Sequence, residues 1–233
     1  MKKDLIYSTQ QAMFGSKEII GFGSDDFYIK EIDRNKANEI IIKNHYSKKF
    51  YNATYIHLGV YIKSELLGIL QFGYAMNPAS CASVVKQTKI DEYLELNRMW
   101  LDDKATRNSE SMAISYAIKY IRSKFKKIKW IQSFADERCG CFGIVYQAAN
   151  FSFYGEHISK FWTLENEVYH NSLMTRNPKL SKSAAYLQHN KKLASMEELR
   201  QFRYIYFINQ RCIKDCLLKE MPYPKHYNET IKN

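Results

Sequence analysis

Cysteine pairs, long apolar runs and repeats are missing from this 233-residue chain, and each absence excludes a class of protein. The cysteines are odd in number and form no CxxC pair, so we expect reduced thiols rather than disulfides or a zinc knuckle. No apolar run is long enough for a signal peptide or a membrane span, which predicts a soluble, cytoplasmic protein. The five cysteines are Cys81, Cys139, Cys141, Cys212 and Cys216.

Acidic residues are also scarce, with 24 Asp and Glu against 35 Lys and Arg, a net charge of +11. Because each cation placed beside a phosphate releases a condensed counterion, this balance favours a polyanionic partner such as nucleic acid. A basic surface that only maintains solubility is the alternative. The chain is 45% hydrophobic and 15% aromatic, enough for a large core. Its length fits one domain spanning residues 1–233.

The apolar pattern alternates between strand and helix periods, which predicts a mixed α/β (α+β) fold. Residues 1–25 are expected to be irregular with one short strand. Asp33 or Asn35 is expected to cap the first helix. Strands are predicted over 27–32, 55–62, 66–74, 93–101, 128–134, 151–154, 161–169 and 203–208. Helices are predicted to run to residue 42, over 108–125 and over 142–149.

One carboxylate has a favourable position in this order. Asp136 follows a buried strand directly and precedes the short helix, and open α/β sheets bind ligands at such strand ends. The same residue type often caps a helix, so a capping role is the alternative.

A basic segment interrupts the order near the C-terminus. Residues 172–200 are rich in Lys and weakly helical, and they predict a basic helical insertion. Basic and aromatic residues alternate here, as in surfaces that bind phosphates and bases, although a charge run is more often a solvated face. The predicted nucleic-acid-binding residues, here and after the first helix, are Lys48, Lys49, Lys191, Lys192 and Arg200.

The element order resembles that of the GNAT acyltransferases. The sequence from Tyr146 to Phe151 and then Gly155 is similar to that family's Tyr-x-x-x-Gly-Phe helix ending. The resemblance implies a mixed central sheet flanked by helices and gives Tyr146 the place of the family's proton donor. The family's glycine-rich pyrophosphate loop has no counterpart, because residues 103–111 contain no glycine. A typical acetyl-CoA site is therefore not evident.

A narrower resemblance is carried by Asn44-His45-Tyr46, Glu95–Arg98, Asn108–Ser111, Ser133–Asp136 and Tyr146–Phe151. Together, over about residues 27–170, they resemble the Mom family of phage proteins. The resemblance implies a GNAT-like transferase that places a methylcarbamoyl (acetamido) group on adenine N6 in double-stranded DNA and protects phage DNA from restriction.

The resemblance also suggests roles for residues. Those expected to act in catalysis are His45, Tyr46, Asp136, Tyr146 and Glu110. Those expected to bind the donor are Arg98, Asn108, Ser109 and Ser111, with Glu110 disfavouring a pyrophosphate. A carboxylate in a first helical turn is also favoured by the helix dipole alone. Iron is a possible cofactor, with His45, Tyr46 and Asp136 as ligands.

Adenine N6 takes part in base pairing, so reaction is easiest on a flipped base. Tyr46, Phe50 or Tyr51 is expected to stack on that base. Two alternatives stay open: an acyl-CoA-dependent N-acetyltransferase acting on a small amine, a protein or aminoacyl-tRNA, and a non-catalytic nucleic-acid-binding protein. The sequence leaves open the donor, the DNA sequence context and the oligomeric state.

Overall fold

The computed structural model describes residues 3–11, 15–140 and 142–224, and its ten described strands form one sheet in the order β1-β2-β3-β4-β5-β6-β7-β10-β8-β9. The strands are β1 (Asp4–Gln11), β2 (Lys17–Ser24), β3 (Phe27–Glu31), β4 (Thr54–Ile62), β5 (Glu65–Gly73), β6 (Tyr93–Leu101), β7 (Trp130–Asp136), β8 (Ser152–Leu164), β9 (Glu167–His170) and β10 (Ser195–Phe207). The helices are α1 (Arg34–Asn44), α2 (Ser109–Lys124), α3 (Ile144–Ala148), α4 (Ser172–Thr175) and α5 (Lys182–His189).

Strands β6 and β7 form the parallel pair in an otherwise antiparallel sheet. Their pairing lasts three residues and ends where Glu95 lies opposite Gln132. Beyond that point β6 continues against β5, and β7 continues against β10. The Ser133 hydroxyl donates to the Leu96 carbonyl at 3.2 Å where the two strands diverge. A V-shaped gap therefore opens toward the C-terminal ends of both strands.

The helices divide between the two faces of the sheet. Helix α2 lays its apolar stripe, including Ala113, Ala117 and Tyr120, on the face that also receives α3. Helix α1 packs on the opposite face through Ala37 and Ile41. The predicted cap of α1 is confirmed, because the Asp33 carboxylate accepts from two backbone amides of the first turn. The mixed sheet flanked by helices is thus confirmed.

An outer arm extends beyond the main sheet. Strands β8 and β10 each have 13 residues, but β7 stops at Asp136, opposite Gln201. Residues 195–200 of β10 pair with β8 alone, which in turn pairs with β9. Helices α4 and α5 connect β9 to β10. The name "arm" is used below for residues 157–200.

Several predicted boundaries were wrong. The region 1–25 contains two strands, β1 and β2, rather than one short strand. The strand predicted over 151–154 continues to Leu164, because pairing with β10 stabilises it where its own apolar pattern lapses. The segment predicted as helical over 172–200 is helical only in part, since β10 begins at Ser195.

Three cysteines, Cys81, Cys212 and Cys216, are free thiols, as predicted. The Cys139 side chain and the whole of Cys141 lie outside the described residues. Among the helices described, none is both long and apolar enough to cross a bilayer.

Two glycines before α3 offer a matched test of packing. Gly140 and Gly143 both have positive φ, but a Cβ at Gly140 would meet nothing within 4 Å, whereas one at Gly143 would lie 2.4 Å from the buried Tyr204 ring. We expect Gly140→Ala to cost about 1 kcal/mol of unfolding free energy from backbone strain alone. Gly143→Ala should cost about 3 kcal/mol, because overpacking is added to that strain.

Urea unfolding of both variants measures the difference. Equal losses would contradict the close packing of α3 on β10.

Candidate active site

The floor of a polar cleft lies where β6 and β7 diverge, on the face that carries α1. Glu95 accepts hydrogen bonds there from Gln132 (2.8 Å) and Asn97 (3.0 Å). Burial is the main cause that raises the pKa of Glu95 to about 7, against the opposing effect of those donors and of two nearby arginines. A carboxylate with such a pKa is half protonated near neutral pH, so it can both accept and release a proton.

Arg98 and Arg203 are the cations that flank Glu95. An irregularity in the β5–β6 pairing inserts one residue between Leu96 and Arg98 and gives that arginine its place at the cleft. The Arg98 Nε donates to the Lys49 carbonyl at 3.1 Å, and Arg203 donates to Gln132 at 3.0 Å while lying over the Phe134 ring. Burial lowers the pKa of both arginines. Their paired carbonyls and aromatic rings hold them in place.

Asp136 closes one side of the cleft, at the end of β7 as predicted. Its carboxylate forms an ion pair with Arg138 and accepts from Gln201 at 3.1 Å. It also caps the turn that follows, by accepting from the Arg138 backbone amide at 3.0 Å. The Arg138 guanidinium lies over the rings of Tyr46 (5.8 Å) and Phe161 (4.1 Å). Arg138 therefore connects Asp136 to Tyr46. Asp136 caps the turn that follows it and also lies at the cleft, where a role in ligand binding stays a prediction.

His45 lies at the end of α1 and is buried. Its Nδ1 accepts from the Ser47 backbone amide at 3.1 Å, so in the neutral ring the proton sits on Nε2. Burial, with the charges of Arg98 and Lys48, lowers the pKa of His45 to about 4. His45 is therefore neutral at physiological pH and offers Nε2–H as a donor.

Aromatic side chains form the rim of the cleft next to His45. Tyr46 is 55% exposed and lies 4.3 Å from the His45 ring, and Phe50 is 43% exposed. Tyr51 is partly buried, and burial raises its pKa, with Glu95 and Arg98 among the charges that act on it. The three aromatic residues predicted to stack on a base thus lie in the loop that borders the cleft.

A second concavity lies at the N-terminus of α2. It has a volume of about 360 Å³ and is lined by both α2 and α3. Four predicted residues meet there: Asn108, Ser109, Glu110 and Ser111. The buried Ser109 hydroxyl pairs with Thr106 at 3.0 Å, whereas Glu110 is exposed. Glu110 therefore lies with Asn108, Ser109 and Ser111, which are predicted to bind the donor, while Arg98 belongs to the cleft.

Tyr146 lies on the other face of the sheet. Its ring packs against Phe151 and Tyr204, at centroid distances of 5.8 and 5.4 Å. Tyr204 alternates with the cleft residue Arg203 along β10, so it faces α3 rather than the cleft. The structure thus groups His45, Tyr46 and Asp136 but places Tyr146 across the sheet from them.

The predicted nucleic-acid-binding cations differ in their surroundings. Lys49 pairs with Glu167 at 2.6 Å and lies over the Tyr169 ring, and Arg200 pairs with Glu137 at 2.7 Å. Lys48 donates to the Lys43 carbonyl. Lys191 lies 5.5 Å from the Trp162 ring, and Lys191 and Lys192 are both exposed. Lys49 and Arg200 therefore already have acidic partners, whereas Lys191 and Lys192 form no ion pair among the described residues.

Iron binding by His45, Tyr46 and Asp136 stays a prediction. Arg138 pairs with both oxygens of Asp136. Within the described part of the chain, no three His, Cys, Asp or Glu side chains are grouped to hold a metal. A cation at Asp136 would have to displace the Arg138 guanidinium.

Sequence reasoning missed the roles of Glu95, Arg138 and Arg203. The motif Glu95–Arg98 contributes to the family resemblance, but the resemblance gives Glu95 no role. The available signal was the polar side of β6, where a carboxylate alternates with buried leucines. A carboxylate whose pKa is shifted to neutrality, in a cleft beside cations, is typical of an enzyme active site.

Comparison with solved structures finds acetyltransferases of low similarity. A ribosomal-protein-S5-alanine acetyltransferase from Vibrio fischeri is 10% identical, with a TM-score of 0.48 over 82% of this chain and 98% of that chain. An acetyltransferase of the GNAT family from Streptococcus pneumoniae is 11% identical, with a TM-score of 0.46 over 78% of this chain and 99% of that chain.

Comparison with known sequences identifies the family. The family model for the Mom protein family matches residues 26–225. The methylcarbamoylase mom of Escherichia phage Mu is 47% identical over 211 residues, which cover 89% of this chain and 88% of that protein. The chain therefore belongs to the Mom family, as the motifs predicted.

The neutral state of His45 predicts an acid sensitivity. The unfolded chain binds a proton at a pKa near 6.5, whereas the folded chain does so only near 4, so stability falls as the pH decreases between these values. We expect this residue to remove about 2 kcal/mol of unfolding free energy between pH 7 and pH 5. His45→Asn should lose correspondingly less over that interval.

Urea unfolding at the two pH values tests this. The exposed His189 provides the control, and His189→Asn should follow the wild type. An identical pH dependence in His45→Asn and wild type would contradict the burial of a neutral imidazole.

Proposed function

We propose that this protein transfers a methylcarbamoyl group to N6 of adenine in double-stranded DNA and so protects phage DNA from restriction. The observation that carries the proposal is membership of the Mom family, together with 47% identity to a protein named as a methylcarbamoylase. The net charge of +11 suits a DNA substrate. The proposed place of action is the bacterial cytoplasm, where that DNA lies.

The exocyclic amine of adenine needs help to react, because its lone pair is delocalised into the ring. In the proposed reaction the nitrogen forms a bond to the transferred group, the donor loses its leaving group, and one N–H proton leaves. Glu95 is proposed to take that proton, since its pKa of about 7 makes it half deprotonated at neutral pH. Arg98 and Arg203 then stabilise the negative charge that develops nearby.

The flipped base is proposed to enter the cleft beside the aromatic rim. Tyr46, with its exposed ring, offers a stacking surface next to the His45 donor. Asp136 and Arg138 are proposed to hold Tyr46 in place, since the guanidinium lies between the carboxylate and the ring. Asp136 acts in this account by positioning Tyr46 rather than in catalysis, which the resemblance suggested.

The donor is proposed to bind in the concavity at the start of α2. Its lining combines hydroxyls and amides with three acidic side chains, Asp102, Asp103 and Glu110, and one cation, Arg107, so acidic charge is in excess. Such a lining suits a neutral or cationic group better than a pyrophosphate. A donor bound on this face is proposed to reach the cleft on the other face through the gap between β6 and β7.

One prediction concerns the modified nucleoside. DNA from cells that express the protein should contain deoxyadenosine carrying the added methylcarbamoyl group, detected by mass spectrometry of digested nucleosides. Plasmid from the same cells should resist cleavage at modified sites. Unmodified deoxyadenosine in cells with folded, expressed protein would contradict the proposed function.

A further prediction concerns Glu95 as the proton acceptor. Glu95→Gln should lower the modification rate by about 100-fold, because the amide cannot accept the proton. The wild-type rate should fall as the pH drops below about 7, where the carboxyl is protonated. Rates are measured on plasmid DNA by nucleoside mass spectrometry.

Glu197→Gln is the matched control, since Glu197 is exposed on β10, and it should keep full activity. DNA affinity should be unchanged in both variants. Wild-type activity in Glu95→Gln would contradict a role for Glu95 in the reaction. A pH–rate profile of the variant whose acidic limb matches that of the wild type would contradict it as well.

A further inference from the structure

One stretch of the arm carries positive charge without any compensating acid. Residues 171–194 contain five basic residues and no Asp or Glu. None of the five forms an ion pair with another described residue. Elsewhere in the described chain, several Lys and Arg side chains do pair with Asp or Glu. The five are Arg176, Lys179, Lys182, Lys191 and Lys192. We call residues 171–194 the acid-free segment.

The same segment holds the two most exposed large apolar side chains among the described residues. Leu180 is 82% exposed and Leu193 is 77% exposed. Each directly follows a lysine. Full exposure of a leucine between cations is unfavourable in water and contributes nothing to solubility. Proteins that enter the base stack of DNA combine apolar wedges with phosphate-binding cations in this way.

Leu180 stands at the tip of a rigid turn. Pro178 begins a short 3₁₀ turn, and the Asn177 side chain accepts from the Lys179 amide at 3.0 Å. The Leu180 amide donates back to the Asn177 carbonyl at 3.1 Å. A fixed turn of this kind loses little conformational entropy when its tip inserts into a partner.

Contacts tie this turn to the mouth of the cleft. The Gln188 side chain of α5 donates to the Leu173 and Arg176 carbonyls, which fixes α5 against α4. His170, the residue before the acid-free segment, forms a hydrogen bond with Ser172 and packs edge-on against Phe161, which lies under Arg138. The Arg176 charge is also among those that act on the pKa of Tyr51.

We propose that Leu180 is a wedge that enters the base stack of duplex DNA and fills the space left when the target adenine leaves it. The lysines on either side bind the flanking phosphates. The inference rests on the proposed function for the identity of the flipped base. It adds a surface outside the cleft that opens the duplex, which the cleft alone does not explain.

Permanganate footprinting tests the wedge without requiring any modification chemistry. Permanganate oxidises thymines that have lost their stacking, including a thymine left opposite a flipped adenine. Bound to a plasmid fragment, the wild type should create hypersensitive thymines. At equal occupancy Leu180→Ala should reduce this reactivity by about fivefold, because the methyl side chain no longer holds the stack open.

Two further variants control the test. Leu180→Met keeps apolar volume and should retain the reactivity, and Leu193→Ala, at the opposite end of α5, should leave it unchanged. Affinity for duplex DNA, measured by fluorescence anisotropy, should stay within about twofold in all three variants, since the cations supply most of it. The wild type should modify paired adenine faster than Leu180→Ala does. The difference between the two rates should be smaller when the adenine is mispaired.

The outcomes separate the two proposals. Hypersensitive thymines without modified deoxyadenosine would support the wedge and overturn the proposed function. Modified deoxyadenosine with equal permanganate reactivity in wild type and Leu180→Ala would overturn the wedge alone. Loss of DNA binding in Leu180→Ala would also overturn it, because Leu180 would then act in docking rather than in opening the stack.

Discussion

The divergence of β6 and β7 is the constraint on which the rest of the structure depends. The two strands pair for three residues, and the pairing ends at Glu95 and Gln132. Each strand then finds a different neighbour, so backbone hydrogen bonds are kept while the sheet opens. The gap brings the carboxylate of one strand and the arginine of β10 to the same point. Without it, Glu95 would lie on a continuous sheet face.

The electrostatics of the cleft follow from that position. Burial favours a protonated Glu95, while Arg98 and Arg203 favour the charged form, and the balance leaves the pKa near neutrality. Asp136 has a different environment, since Arg138 pairs with it directly and Gln201 adds a further donor. Two carboxylates in one cleft therefore have distinct tasks, one suited to proton transfer and the other to holding the aromatic rim.

Local pattern predicted the features that depend on neighbouring residues. The Asp33 cap, the helix α2 and the position of Asp136 at a strand end all follow from short-range sequence. The shifted pKa of Glu95 does not, because the groups that bury and oppose it lie on β7 and β10, far along the chain. The face occupied by Tyr146 also escaped prediction. A short helix can pack on either side of a sheet, and its sequence does not specify which. Residues 156–160 of β8 are mostly exposed, so the strand showed no alternation and was recognised only through its pairing with β10.

The arm solves a problem that the cleft cannot. An amine engaged in base pairing must be exposed before Glu95 can act on it, and unstacking a base costs a few kcal/mol. Cations alone bind duplex DNA but leave the stack closed, because phosphates lie on the outside of the helix. An exposed leucine on a fixed turn supplies the apolar contact that an open stack can accept. The lack of any acid in residues 171–194 then has a physical reason, since a single carboxylate there would repel the phosphates that hold the wedge in place.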